Sequence, residues 1–195
     1  HNFNVTGLSL SKEQITYCRE LINTHNLDKS FKVKLQDYRH EKGVFDNIVS
    51  IEMFEAVGQK YWPEFFKMMQ DCLKQKGTAI IQTITIDHQY FKKYSKQSDF
   101  IQQYIFPGGM LPSSEIFEDL VKKHKFEIVS THSFGADYAR TLQIWKKNFL
   151  NNLSKIRSQG FDNNFIRKWE FYLCYCIAGF KSKRTDVKQF EFRKI

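Results

Sequence analysis

The sequence predicts an α/β fold in which helices cover both faces of a mostly parallel sheet. Strand-like and helix-like apolar patterns alternate along the chain, and the last predicted element is a strand. Residues Phe45–Ile51 carry three β-branched side chains, which is typical of a strand that is buried on both faces of a parallel sheet. The length of 195 residues fits one domain, so residues 1–195 are assigned to a single domain.

The first half of the chain alternates short strands with two helices. Ser11 is a suitable N-cap for the first helix, and Gly77 is a suitable end for the second. The predicted order is a strand at 5–8, a helix after Ser11, strands at Phe31–Leu35 and Phe45–Ile51, a helix at 61–76 and a strand at 78–86.

The second half is richer in helix and ends on a strand. A helix that begins at Ser113 or Ser114 has acidic residues early and lysines late, as the helix dipole favours. The predicted order is a helix at 91–104, the helix after Ser113, a strand at 126–131, two helices with apolar positions 138–149 and 161–176, and a strand at 189–193.

The net charge of +9 lies entirely in residues 140–195, which suggests an anionic partner or a lysine-rich solvated face. No nucleic acid partner is expected, because no known DNA- or RNA-binding motif accompanies the charge. No apolar run approaches the ~20 residues that span a bilayer, so we expect a soluble or peripheral protein. The four cysteines are scattered and are predicted to be buried free thiols in a reducing cytoplasm. The histidines are isolated, so no metal site is predicted.

Two acids follow the strand Phe45–Ile51 within four residues. Open α/β sheets bind ligands beyond the carboxyl ends of their strands, so Glu52 and Glu55 are candidates for a binding or catalytic site. Solvated loop residues are an equally simple interpretation of the spacing alone.

The segment 46–58, DNIVSIEMFEAVG, and the segment 104–113, YIFPGGMLPS, closely resemble the cyclopropane-fatty-acyl-phospholipid synthase family. Shorter matches run through the chain in the family's order: LQDYR at 35–39, FGADY at 134–138, and the positions Tyr172, Cys176, Gly179 and Phe180. With the mycolic acid methyltransferases, these enzymes transfer a methyl group from S-adenosylmethionine to a double bond of an acyl chain. The resemblance implies the Rossmann-like methyltransferase fold, with an antiparallel last strand.

The six predicted strands correspond to the second to seventh strands of that fold. The resemblance therefore implies that the chain is truncated at its amino end and lacks the first strand and its glycine-rich loop. We expect residues 1–195 alone to be aggregation-prone and inactive, because a central strand and half of the cofactor site would be missing.

The resemblance implies cofactor-binding residues for the adenosine half of S-adenosylmethionine. Ser9 and Gln14 correspond to positions that hold the ribose hydroxyls, and Asp37 and Tyr38 to positions at the adenine. Helix capping, an exposed polar face and an ordinary turn are the structural alternatives for these four residues.

The resemblance also implies a bicarbonate ion as the base that removes a proton after methyl transfer. The corresponding residues for this catalytic site are Glu55, Gln82, Ile84 and Tyr172, together with a cysteine upstream of the chain. Many family members have histidine at the position of Gln82, whose amide can still donate to an anion. A tunnel for the acyl chain is predicted from Phe106, Met110, Phe134 and Tyr138, for which core packing is the alternative.

The function implied for the full-length protein is cyclopropane formation on unsaturated acyl chains of phospholipids. The predicted partner is an anionic membrane surface at the cytoplasmic face. A homodimer of the full-length protein is compatible with the sequence. Methyl branching of the same acyl chains is the alternative reaction, and a non-catalytic lipid-surface fragment is the alternative class.

Overall fold

The computed structural model describes residues 3–195, which form six strands in two sheets. The first sheet pairs β1 (Val5–Ser9) with β2 (Phe31–Leu35). The second has the order β3-β4-β6-β5, from β3 (Phe45–Ile51), β4 (Leu73–Ile86), β5 (Phe126–Ser133) and β6 (Thr185–Lys194). Within residues 3–195, no strand pairs with the second edge of β1 or of β3.

Eight helices connect these strands within the described residues. They are α1 (Lys12–Thr24), α2 (Trp62–Cys72), α3 (His88–Tyr94), α4 (Phe100–Tyr104), α5 (Ser114–Lys123), α6 (Gly135–Asn151), α7 (Leu153–Ser158) and α8 (Asn163–Lys181). Short 3-10 turns lie at Tyr38–His40, Phe54–Ala56 and Gln59–Tyr61. The predicted N-caps are confirmed, since the Ser11 and Ser113 hydroxyls accept from the N–H groups of Gln14 and Ile116.

The strand directions confirm the predicted fold class. β1 and β2 are parallel, and so are β3 and β4. Only β6 runs the other way, because it pairs antiparallel with both β4 and β5. The carboxyl ends of β3 and β4 therefore meet at one edge of the sheet, where Ile51 is opposite Gln82.

Two apolar clusters lie on the two faces of the second sheet. The larger one joins α2 and α5 to the sheet through aromatic rings, and the Phe117 ring stacks on Phe190 at 4.4 Å. The smaller one joins α6 and α8 to β6, where Val187 is fully buried. Helices thus cover both faces, as the alternation of elements predicts.

Several predicted boundaries are wrong. The helix predicted at 61–76 ends at Cys72, because Leu73 already has extended backbone and begins β4. The helix predicted at 91–104 is two helices, and the second begins at a capping box formed by Asp99 and Gln102. The predicted strand at 189–193 begins earlier, at Thr185, and α7 is an additional helix.

The prediction that β3 is buried on both faces is also wrong, since Val49 and Ile51 are 65% and 55% exposed. Cys72 is buried, whereas the other three cysteines are only partly buried. Among the helices of residues 3–195, none is long and apolar enough to cross a membrane.

Candidate active site

The carboxyl ends of β3 and β4 hold the two acids that the sequence singles out. The Glu52 N–H donates to the Gln82 carbonyl at 2.9 Å, which extends the pairing of β3 with β4 by one residue. The fully buried Phe54 then anchors the 3-10 turn that carries Glu55. The Met110 N–H donates to the Glu55 carbonyl at 2.8 Å, so the loop at 106–110 is fastened to the same turn.

The Glu55 carboxyl is the buried acid of the site. Its Oε1 accepts from the Ile84 N–H at 2.6 Å, whereas no group in the described part of the chain bonds its buried Oε2. Burial raises the pKa of Glu55, and the nearby Glu52 carboxylate adds to that rise. Hydrogen bonding to the Glu55 carboxyl, chiefly from the Ile84 N–H, offsets this rise only in part. A buried acid of this kind holds its proton more tightly than an exposed one.

Glu52 lies in a hydrogen-bonded network with three residues distant in sequence. Its Oε1 accepts from the Gln82 amide at 2.8 Å and from the Tyr138 hydroxyl. The Gln82 Nε2 also donates to the Tyr138 hydroxyl at 3.0 Å, and the side-chain Oε1 of Gln82 accepts from Gln189 Nε2 at 2.9 Å. Strand pairing explains the last contact, because Gln82 and Gln189 are directly opposite in β4 and β6.

Tyr172 lies on α8 near Glu52, whose charge adds to the effect of burial on the pKa of Tyr172. Burial raises the pKa of Tyr172 to about 12, and burial likewise raises the pKa of Cys176, one helical turn onward, to about 11. Both groups therefore keep their protons at neutral pH. The ring of Phe106 lies 6.4 Å from that of Tyr172, so this loop residue borders the site.

Ser9 and Gln14 are brought together at the end of β1. The Ser9 hydroxyl donates to the side-chain Oε1 of Gln14 at 2.6 Å, and the Ser11 N–H donates to the Ser9 hydroxyl at 3.1 Å. Both side chains line a cavity of about 220 Å³ that β1, α1 and Val33 enclose. A hydroxyl and an amide at a cavity wall suit the hydroxyl groups of a sugar.

Asp37 and Tyr38 follow β2 and make contacts within the protein. The Asp37 carboxylate accepts from two Arg39 nitrogens at 2.6 and 3.0 Å, and this pairing lowers its pKa to about 2. The Tyr38 ring packs against the larger apolar cluster, 5.6 Å from Phe65 in an edge-on arrangement. The role of this pair at an adenine stays a prediction.

The four residues predicted for an acyl tunnel are divided between the two clusters. Met110 packs against the larger cluster, and Phe134 and Tyr138 pack against the smaller one. Phe106 is 58% exposed. Two of the four border the polar site, Phe106 beside Tyr172 and Tyr138 bonded to Gln82. Among the described residues, no group of three metal-ligating side chains lies close together.

The sequence alone indicates no role for Gln189. It leaves Glu52 as either a site residue or a solvated loop residue. The signal for Gln189 is its place in the final strand, which becomes informative once the register of β6 is known. The signal for Glu52 is its φ of +52°, a left-handed conformation that is uncommon outside glycine and that a sequence does not display.

A mostly parallel sheet with an antiparallel β6, and a polar site where β3 and β4 end, defines the S-adenosylmethionine-dependent methyltransferase fold. The chain belongs to the mycolic acid cyclopropane synthetase family, whose model matches residues 1–190.

Relatives and solved structures agree with this family. The chain is 36% identical over 187 residues to the tuberculostearic acid methyltransferase UfaA1 of Mycobacterium tuberculosis, and 32% identical over 199 residues to the cyclopropane-fatty-acyl-phospholipid synthase of Escherichia coli. These matches cover 95% and 100% of the chain, but only 44% and 48% of the relatives. The crystal structure of the mycolic acid cyclopropane synthase CmaA1 with SAH and CTAB has a TM-score of 0.88 and 28% identity, and covers 98% of this chain and 70% of that one.

The chain thus spans about half the length of the first two relatives.

Proposed function

We propose that the whole protein transfers a methyl group from S-adenosylmethionine to a double bond of an unsaturated phospholipid acyl chain and forms a cyclopropane ring. The observation that carries this proposal is the family match over residues 1–190. The buried Glu55 carboxyl beyond the end of β3 supports it, because a polar group held away from water suits chemistry that must exclude water.

S-adenosylmethionine, when bound, supplies an electrophilic methyl group. Its ribose would be held by Ser9 and Gln14, which already meet at the wall of a cavity. Asp37 and Tyr38 would contact the adenine, with the carboxylate shared between Arg39 and the base. Their chemistry fits an adenosine, which offers hydroxyl groups, an amine and a flat aromatic ring.

The chain's own residues position the acyl chain and exclude water, since an alkene that attacks a methyl group needs no protein nucleophile. Phe106 and Tyr138 would lie along the hydrocarbon, with Met110 and Phe134 behind them. Methyl transfer leaves a positive charge on the acyl chain, and one proton must then leave before the ring can close.

Bicarbonate as the acceptor of that proton fits the residues of this chain poorly. The Ile84 N–H donates to Glu55, and the Gln82 amide donates to Glu52 and Tyr138. Two of the groups expected to bind the anion are thus engaged by the chain's own carboxylates. An added anion would also lie close to the Glu52 carboxylate, which repels like charge.

The alternative reaction is methyl branching, in which a hydride donor reduces the acyl carbocation. The names of two relatives support this alternative reaction. They are the tuberculostearic acid methyltransferase of Mycobacterium tuberculosis and a "Probable fatty acid methyltransferase" of Pseudomonas putida. A further alternative is a lipid-surface module without activity.

The proposed partner is an anionic phospholipid surface. The charge of residues 140–195 supports it, and so do the exposed aromatic rings of Tyr104, Phe106 and Phe171 near the site. The Lys168 ammonium lies 5.5 Å from the centre of the Tyr104 ring, so a cation and exposed rings share one surface.

The test is to express the whole gene in bacteria whose own cyclopropane synthase is deleted, and to analyse the fatty acids by mass spectrometry. Cyclopropane acids with a mass gain of one methylene group are expected. Methyl-branched acids would favour the alternative reaction. An unchanged lipid profile, together with no binding of S-adenosylmethionine in calorimetry, would refute the proposed activity. It would favour the alternative of a lipid-surface module without activity.

A further inference from the structure

We propose that Glu52 is the proton acceptor that completes the reaction after methyl transfer, so that the chain supplies its own base. This inference rests on the proposed function, because it assigns a residue to the proton-removal step. The Glu55 carboxyl accepts from the Ile84 N–H and is buried, whereas Glu52 is exposed and bonds Gln82 and Tyr138 of the same site.

The backbone of Glu52 is specialised for this position. A φ of +52° favours glycine, yet a glutamate stands here at the first residue after β3. The conformation turns the carboxylate toward Gln82 and Tyr138, which both donate to Oε1. Within the described residues, both donors bond Oε1 and none bonds Oε2, which leaves this second oxygen able to accept a proton.

The two carboxyl groups have different environments, which separates their roles. Glu55 is buried and its pKa is raised, partly by the charge of Glu52. Glu52 is exposed, and the Gln82 amide and the Tyr138 hydroxyl both donate to one of its oxygens. Paired acids whose environments differ in this way commonly divide into one that keeps its proton and one that accepts a proton.

The proposed step balances in atoms and charge. The alkene electron pair forms a bond to the methyl carbon, and the sulfur–carbon bond breaks with its pair left on sulfur, which gives a neutral thioether and an acyl carbocation. Glu52 Oε2 then removes a proton from the transferred methyl group. The electrons of that carbon–hydrogen bond close the ring, and Glu52 becomes a carboxylic acid that returns its proton to water.

Two variants of the whole protein test this role. Glu52→Gln keeps the hydrogen-bonding shape without the base and should lower kcat on the order of 10²-fold. Glu52→Gly removes the side chain at a φ that glycine readily adopts, so it should melt at or above the wild-type temperature. Glu127→Gln, at an exposed position at the other end of the sheet, is the matched control and should retain wild-type activity.

Added small anions separate the candidate bases. The wild type should be equally active in decarbonated buffer and in buffer with bicarbonate, and formate should partly restore the activity of Glu52→Gly. Wild-type activity that collapses without bicarbonate, or a Glu52→Gln variant with normal kcat, would overturn the proposal. A wild-type protein that methylates no unsaturated lipid would instead refute the proposed function itself.

Discussion

At the scale of single residues, the decisive feature is a buried carboxyl group with one oxygen left unpartnered. Glu55 Oε1 accepts from the Ile84 N–H, while the buried Oε2 has no bond from the described residues. A buried polar atom without a partner costs free energy, and such costs persist mostly at functional sites. We therefore propose that Glu55 serves the reaction and not the stability of the fold.

Substitution of Glu55 by glutamine should abolish most product formation in the whole protein. The loss of a hydrogen-bonding acid at a dry site should lower the rate on the order of 10²-fold or more. S-adenosylmethionine affinity should stay nearly unchanged, because Ser9 and Gln14 lie on other elements. Turnover by mass spectrometry and affinity by calorimetry check both parts, and near wild-type turnover would refute the assignment.

The pair of Asp37 and Arg39 should make stability depend on pH in the acid range. The folded pKa of Asp37 is about 2, below the ordinary 3.8, so the pair's contribution is present above about pH 4 and is lost as the pH falls toward 2. Because Arg39 is half exposed, we expect Asp37→Asn to cost only about 1 kcal/mol of unfolding free energy at pH 7.

Urea unfolding of Asp37→Asn at pH 7 and at low pH measures this effect. The difference from wild type should shrink toward pH 2, whereas Asp119→Asn, at an exposed position on α5, should change little at either pH. A difference that persists at pH 2 would show that the Asp37 bond to the Arg39 N–H matters more than its charge.

At the scale of elements, β4 connects the core to the site. Ala79 and Ile81 point into the larger apolar cluster, whereas Gln82 bonds the network and Ile84 packs against the smaller cluster. Alternate residues of one strand point to opposite faces, so β4 couples the packing of α2 and α5 to the position of the polar groups.

Removal of the Phe117 ring should destabilise this arrangement strongly. Phe117 is fully buried and contacts Phe54 at 5.2 Å and Phe190 at 4.4 Å, so Phe117→Ala should cost about 3–5 kcal/mol of unfolding free energy. Trp145→Ala, where the side chain is 57% exposed, is the control and should cost less than about 1 kcal/mol. Equal losses in chemical denaturation would contradict the assigned core.

At the scale of the whole molecule, the basic charge of residues 140–195 should bring the protein to anionic membranes. Binding of the whole protein to phosphatidylglycerol vesicles should fall steeply with salt, since each nearby cation contributes about 1 kcal/mol. Lys168→Glu should weaken binding, because Lys168 lies over the exposed Tyr104 ring. Lys122→Glu, in the part of the chain with no net charge, is the control. Equal binding to neutral and anionic vesicles would contradict the prediction.

Residues 1–195 expressed alone should self-associate. The edge of β3 exposes Val49 and Ile51, and an apolar strand edge invites pairing with other chains. Val49→Lys should reduce the aggregation seen by light scattering, because a charge on an edge strand disfavours such pairing. A monomeric chain that melts cooperatively would show that this edge is harmless.

The sequence by itself determined the alternation of strands and helices, the cap at Ser11, a serine cap at Ser113 or Ser114, and the family. These features are local: periodicity and capping depend on residues within one or two turns, and the family motifs are contiguous words such as 46–58.

Only the tertiary structure decided which polar groups meet. Glu52 bonds Tyr138 across 86 positions and Gln82 bonds Gln189 across 107, contacts that exist because strand register and the path of α6 bring them together. The tertiary structure also decided that α2 ends at Cys72, because Leu73 pairs with Phe45 of β3 and has extended backbone. Local preference cannot specify such contacts, because their free energy depends on neighbours that the folded chain alone supplies.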